Sequence, residues 1–148
     1  MTIRKADTAD AEQLHDLYSR HLTTQPPEQP QDMEVWRSKI ERFHSDPMYH
    51  ILVGEVDGRV VSSVTLVVIE NLTRNLRPYA LVENVVTHSE HRGNGYAKML
   101  MARAAEIAEQ HGCYKIMLLT SGRHDGVLQF YESCGFNRSD KTGFVRWV

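Results

Sequence analysis

The chain has 148 residues, 41% of them hydrophobic and 24% charged, a balance that suits one domain with its own core and excludes a disordered chain. A formal net charge of -2 offers no overall basic surface for nucleic acid. The opening MTIRKADTAD carries no apolar run, so neither a leader peptide nor a membrane segment is expected there. The two cysteines, Cys113 and Cys134, are too few for a disulfide framework, and a reducing cytoplasm is the expected setting.

In chain order, Thr2 to Lys5 reads as a short strand. Asp7 or Thr8 can cap a helix whose apolar residues Leu14, Leu17 and Tyr18 recur at helical spacing. Pro26-Pro27 must end that helix, and Pro30 keeps Thr23 to Gln31 irregular. A second helix follows Asp32, with Met33, Trp36, Ile40 and Phe43 forming one stripe, which reads as core. Ile51 to Val56 and Arg59 to Ile69 read as strands joined by Asp57-Gly58, a strong signal for a hairpin turn with positive φ.

Asn71 to Pro78 is a polar loop, and Tyr79 to Thr87 is a strand rich in Leu and Val. A helix is expected from about Tyr96 to His111, stopped by Gly112. Cys113 to Thr120 reads as an apolar strand, Ser121 to Gly126 as a loop and Val127 to Cys134 as a short helix ended by Gly135. Phe144 to Val148 is read as a closing strand. The order β-α-α-β-β-β-α-β-α-β describes one mixed α/β domain, residues 1–148. Its strand–helix–strand unit from Tyr79 to Thr120 should cross over with right-handed sense.

The segment Arg92-Gly93-Asn94-Gly95-Tyr96-Ala97 lies between a strand and a helix. Its two glycines allow a sharp turn and close backbone approach to a ligand. The first N–H groups of the following helix then face one concavity, where the helix dipole favours an anion such as a pyrophosphate. Taken alone, the same pattern also describes a tight turn that binds nothing. It is neither a Walker A loop nor a clean dinucleotide fingerprint.

The run from Val85-Val86-Thr87 through Arg92-Gly93-Asn94-Gly95-Tyr96-Ala97 resembles the acetyl-CoA-binding motif of the GNAT superfamily, Arg/Gln-x-x-Gly-x-Gly/Ala. Arg92, Gly95 and Ala97 occupy its specified positions. Downstream, Phe130-Tyr131-Glu132-Ser133-Cys134-Gly135-Phe136 resembles the family's Phe-Tyr-x-x-x-Gly-Phe segment. The resemblance covers the second half of the chain. It implies a mixed, mostly antiparallel central sheet with one parallel, splayed strand pair, flanked by helices.

It also implies acetyl-CoA as co-substrate and no metal. The pantetheine arm would lie along Val85, Val86 and Thr87, and the pyrophosphate would sit at Arg92 to Lys98. Tyr131 takes the family's general-acid position, protonating the departing thiolate, and its other reading is a core aromatic. Glu83 is the candidate base, on the expectation that burial in an apolar strand raises its pKa; alternation could instead turn it to solvent. Many relatives carry an asparagine where this chain has His124, so its cofactor contact is open.

His88 and His91 read as surface histidines rather than metal ligands. Cys134 reads as packing, not as a nucleophile. The superfamily builds its acceptor pocket from segments corresponding to His21 to Asp32 and Asn71 to Tyr79, which makes Glu28, Asp32, Arg74 and Arg77 candidate contacts. Three fragments also resemble the glucosamine-phosphate N-acetyltransferase branch: Val82-Glu83-Asn84-Val85-Val86, Gly112-Cys113-Tyr114-Lys115-Ile116 and Phe130 to Phe136. The expected activity is acetylation of a small-molecule primary amine by direct attack in a ternary complex, by a homodimer. A protein or peptide acetyltransferase and a non-catalytic acetyl-CoA-binding domain are the alternatives.

Overall fold

In the computed structural model, which describes residues 1–23, 29–122 and 124–148, five strands form one sheet in the order β1-β2-β3-β4-β5. Strands β1 (Thr2–Lys5), β2 (Tyr49–Val56), β3 (Arg59–Ile69) and β4 (Tyr79–Thr87) are antiparallel neighbours. Strand β5 (Ile116–Met117) runs parallel to β4. Helices α1 (Ala11–His21) and α2 (Met33–Ser45) cover one face. Helices α3 (Tyr96–Gln110) and α4 (Asp125–Ser133) cover the other.

Alternation in the strands decides which residue serves which face. Ile51 and Val53 point to the α1/α2 layer, whereas Leu52 joins Val64, Leu66, Ala80 and Val82 under α3. Leu100, Met101, Ala104, Ile107 and Ala108 form the buried stripe of α3. Phe130, Tyr131, Cys134 and Phe136 add the α4 segment to the same core. Leu14 and Leu17 anchor α1, and Ile40 anchors α2.

Local chemistry explains several boundaries. Asp7 caps a 3₁₀ turn (Thr8–Asp10) in a capping box with Asp10, and α1 continues from it. Asp10 is only 2% exposed, and Arg4 grips both its oxygens at 2.6 and 2.8 Å. Asp32 caps α2 through the Glu34 N–H. Asp57 and Gly58 have φ of 50° and 76°, the double left-handed conformation of the expected hairpin turn. The Pro26-Pro27 stop lies outside the described residues.

Two expected strands are corrected. Of Cys113 to Thr120, only Ile116 and Met117 join the ladder, because the chain diverges from β4 after the pair Leu81–Met117. Phe144 to Val148 forms no strand: the chain leaves the sheet after Gly143, and Phe144 and Trp147 are about nine-tenths exposed. The last helix also starts at Asp125 rather than Val127, inside the expected loop. Among the described residues, no helix is long and apolar enough to cross a membrane.

Candidate active site

Strand β4 is broken in its middle. Ser63 pairs with Val86 and Thr65 with Glu83, so Asn84 and Val85 together oppose Val64 in a β-bulge. Asn84 takes φ of 52°, a left-handed conformation that Asn adopts more readily than most side chains. Past the bulge, Val85 packs into the α3 core and Val86 into the α1/α2 core, so the strand changes which face each residue serves. Pairing with β5 has already ended at Leu81, and the two parallel strands open into a V.

Beyond β4, the chain makes a 3₁₀ turn (Ser89–His91) capped by the His88 ring, then the glycine loop, then α3. Gly93 and Gly95 have φ of 81° and 76°, and a Cβ on either would meet no atom within 4 Å. The space in front of both is therefore open. Asn94 ties the loop to itself by donating to the His91 carbonyl at 3.0 Å, and Arg92 Nε donates to the Thr87 carbonyl at 3.2 Å. The N–H groups at the start of an α-helix have no partner within it. An exposed nest of left-handed glycines ahead of the α3 N-terminus, with Arg92 and Lys98 exposed beside it, fits a pyrophosphate.

The neighbouring residues divide in their suitability for the pantetheine arm. Val85 stands at the bulge, half-buried. The Val86 carbonyl accepts from the Ser62 hydroxyl at 2.7 Å, and the Thr87 hydroxyl meets the same Ser62 oxygen at 2.8 Å. With its carbonyl already taken by Arg92, Thr87 keeps less main chain free than Val85 does. Tyr96 and Ala97 are half-buried in the first turn of α3. His124 is exposed at the N-cap position of α4 and makes no side-chain cap bond.

Two cavities meet the sheet near the bulge. One, of about 910 Å³, lies between the diverging β4 and β5 and the α3/α4 layer, and Val82, Leu118, Thr120 and Tyr131 line it. The other, of about 450 Å³, lies on the opposite face beneath α1 and α2, and Asn84 and Thr65 belong to its wall. Tyr131 is half-buried, edge-on to Phe130 and Phe136. Burial pushes its phenol pKa above the ordinary value; the Cys134 thiol and the Glu83 carboxylate add to the rise, and a hydrogen bond to Thr120 opposes it.

Glu83 is exposed, which corrects the expectation that burial tunes it: the alternation of β4 sends Val82 inward and Glu83 out. Its carboxylate nevertheless acts on Tyr131 on one side and on Tyr49 on the other, raising both phenols, with burial the larger cause for Tyr49.

Of the expected acceptor contacts, Asp32 lines the 450 Å³ cavity and Glu28 lies outside the described residues. Arg74 and Arg77 do not reach it. Arg77 donates to the Gly112 and Cys113 carbonyls at 3.0 and 3.1 Å, and Arg74 sits 5.7 Å over the Tyr114 ring. Cys134 is half-buried in the α4 packing, with burial raising its thiol pKa. His88 and His91 stack with His21 and Tyr96, and no group of three or more metal-ligating side chains occurs among the described residues.

Sequence reasoning missed the cavity walls on α2 and β2. The stripe of Trp36, Ile40 and Phe43 does pack on the core, but the same residues, with Tyr18 and Tyr49, also face the 450 Å³ space. Helical spacing carries no signal that separates the two uses.

The Acetyltransferase (GNAT) family matches residues 11–136. The chain is 31% identical to a glucosamine 6-phosphate N-acetyltransferase of Trypanosoma brucei brucei, over 82% of this chain and 79% of that one. Its fold superposes on a putative acetyltransferase from Agrobacterium tumefaciens with a TM-score of 0.87 and 41% identity, covering 99% and 100% of the two chains. The glucosamine-6-phosphate N-acetyltransferase of Arabidopsis thaliana, at 23% identity and a TM-score of 0.85, shares the fold over 99% of this chain and 97% of that one. The chain belongs to the GNAT acetyltransferase family, whose members use acetyl-CoA, and is an acyltransferase.

Proposed function

We propose that this single-domain protein transfers the acetyl group of acetyl-CoA directly to the primary amine of a small molecule, with both substrates bound together. The observation that carries this reading is the bulge at Asn84–Val85. Asn84 lines the 450 Å³ cavity on one face, and Val82, two residues earlier, lines the 910 Å³ cavity of Tyr131 on the other. Thioester and amine can then approach from opposite sides of one strand, and no covalent enzyme intermediate is needed.

The amine must arrive neutral, and Glu83, on β4 next to the bulge, takes its proton directly or through a water. Nitrogen attacks the carbonyl carbon, the N–C bond forms and the C–S bond breaks. The backbone N–H that a bulge releases from the ladder is placed to hydrogen-bond the carbonyl oxygen as charge collects there. Tyr131 gives its proton to the sulfur, coenzyme A leaves as a thiol, and the proton that the nitrogen sheds on becoming an amide returns Tyr131 to its phenol form. A cytoplasmic protein acting as a homodimer completes the reading.

Thiol release on mixing the protein with acetyl-CoA and a panel of amines tests it. Initial rates should give intersecting reciprocal plots; parallel lines would point to a covalent intermediate. Glu83→Gln should lower turnover near pH 7 and recover it toward higher pH, where more of the amine is neutral already. Full activity of that variant at pH 7 removes Glu83 from the mechanism.

A further inference from the structure

The 450 Å³ cavity under α1 and α2 is walled by aromatic rings from three elements: Tyr18 on α1, Trp36 and Phe43 on α2, and Tyr49 on β2. The polar handles of Trp36 and Tyr18 are occupied by the protein itself. Trp36 Nε1 donates to the Gln31 side chain at 2.7 Å, and the Tyr18 hydroxyl meets the Ser63 hydroxyl at 3.1 Å. The rings are also fixed against each other. Phe43 stacks on Tyr49 with centroids 4.0 Å apart, and Trp36 meets His15 edge-on at 5.1 Å. The ring surface offered to a ligand is thus held in place before binding, with Gln31, Asp32, Lys39, Thr65 and Asn84 as polar residues of the same wall.

The charges on the wall do not compose an anion site. Lys39 is the one cation among the described lining residues, and the Asp32 carboxylate shares the wall with it. The arginines that a phosphate would need are engaged elsewhere, Arg77 on the Gly112 and Cys113 carbonyls and Arg74 on the Tyr114 ring. A phosphate dianion is normally held by bidentate or clustered cations. A sugar phosphate would bring that charge to a wall with a single cation among the described lining residues. A flat apolar ring suits the wall, because aromatic faces offer both area and stacking.

We propose that the acceptor is an arylalkylamine: a primary amine on a short chain, with its aromatic ring against Trp36 and Tyr49 and its nitrogen directed at the Asn84 bulge. The inference rests on the acetyltransferase reading above, and it parts from the sugar-phosphate acceptor that the names of the curated relatives carry.

The test compares 2-phenylethylamine, tryptamine, spermidine and glucosamine 6-phosphate as acceptors by thiol release, with product masses measured. The aryl amines should exceed glucosamine 6-phosphate in kcat/KM by about a hundredfold, on the scale of burying one ring against leaving a phosphate unpaired. Trp36→Leu should raise their KM by roughly tenfold while the melting shift given by acetyl-CoA stays as in the parent. Lys39→Met, an exposed change, should lower KM for the aryl amines by removing a like charge from the ammonium's path. Preference for glucosamine 6-phosphate or spermidine, or a KM for aryl amines that rises in Lys39→Met, overturns the arylalkylamine while leaving the acetyltransferase reading intact. Thiol release with none of the four overturns both.

Discussion

Tyr131 has an environment that keeps its proton. Burial, the Cys134 thiol and the Glu83 carboxylate all disfavour the phenolate, so the donor form persists through the ordinary tyrosine range near pH 10. A general acid that must be protonated to act therefore imposes no falling limb on kcat until above that range. Tyr131→Phe keeps the ring against Phe130 and Phe136 but removes the donor, and kcat should fall roughly 10²–10⁴-fold with acetyl-CoA affinity nearly unchanged. Stopped-flow or steady-state turnover checks it, and an unaltered kcat would make Tyr131 a packing residue. Tyr131 is legible in the sequence through the resemblance of Phe130 to Phe136 to the family's Phe-Tyr-x-x-x-Gly-Phe segment. The exposure of Glu83 is one of two readings the sequence leaves open, since alternation with Val82 allows it and the register of β4 decides it.

Among the elements, the glycine loop and the bulge are the two departures from regular structure that build the site. Gly95 occupies the left-handed region at the N-cap of α3, where a β-branched side chain is strained by roughly 1–2 kcal/mol whatever the space around it. Gly95→Val should thus lower the melting temperature slightly and abolish the further rise that acetyl-CoA gives the parent. Differential scanning fluorimetry reads both effects in one experiment; a preserved shift would remove the loop from cofactor binding. Elements bounded by side-chain chemistry were legible to within a residue or two: Asp32 before α2, Asp57-Gly58 between β2 and β3, Gly112 after α3. Asn84 was visible only as a polar residue in an apolar strand. Cys113 to Thr120 has the composition of a full strand, yet its ladder stops at Met117, where the chain parts from β4 ahead of the bulge.

At the scale of the whole molecule, the unpaired C-terminal segment is the feature a monomer leaves unexplained. Phe144, Val145, Trp147 and Val148 are all exposed, Trp147 at 91%, and exposed apolar clusters of this kind mark contact surfaces. The segment begins close to the sheet, since a Cβ on Gly143 would stand 2.5 Å from the Leu119 side chain, and then leaves it. Met117 and Leu119, at the open edge beyond β4, are exposed as well. An open edge and an exposed apolar segment on one chain are complementary when a second copy is turned about a two-fold axis, because each segment then covers the other copy's edge. A homodimer is the expected outcome at micromolar concentration by light scattering. Deleting residues 144–148 should return the chain to monomer. Trp147 adds a spectroscopic readout, because Trp36 is the other of the two tryptophans. Emission should move to shorter wavelength as dilute protein is concentrated, and Trp147→Phe should remove that change. A monomer at every concentration, with Trp147 emission constant, would mean that the segment stays in water and that each chain works alone.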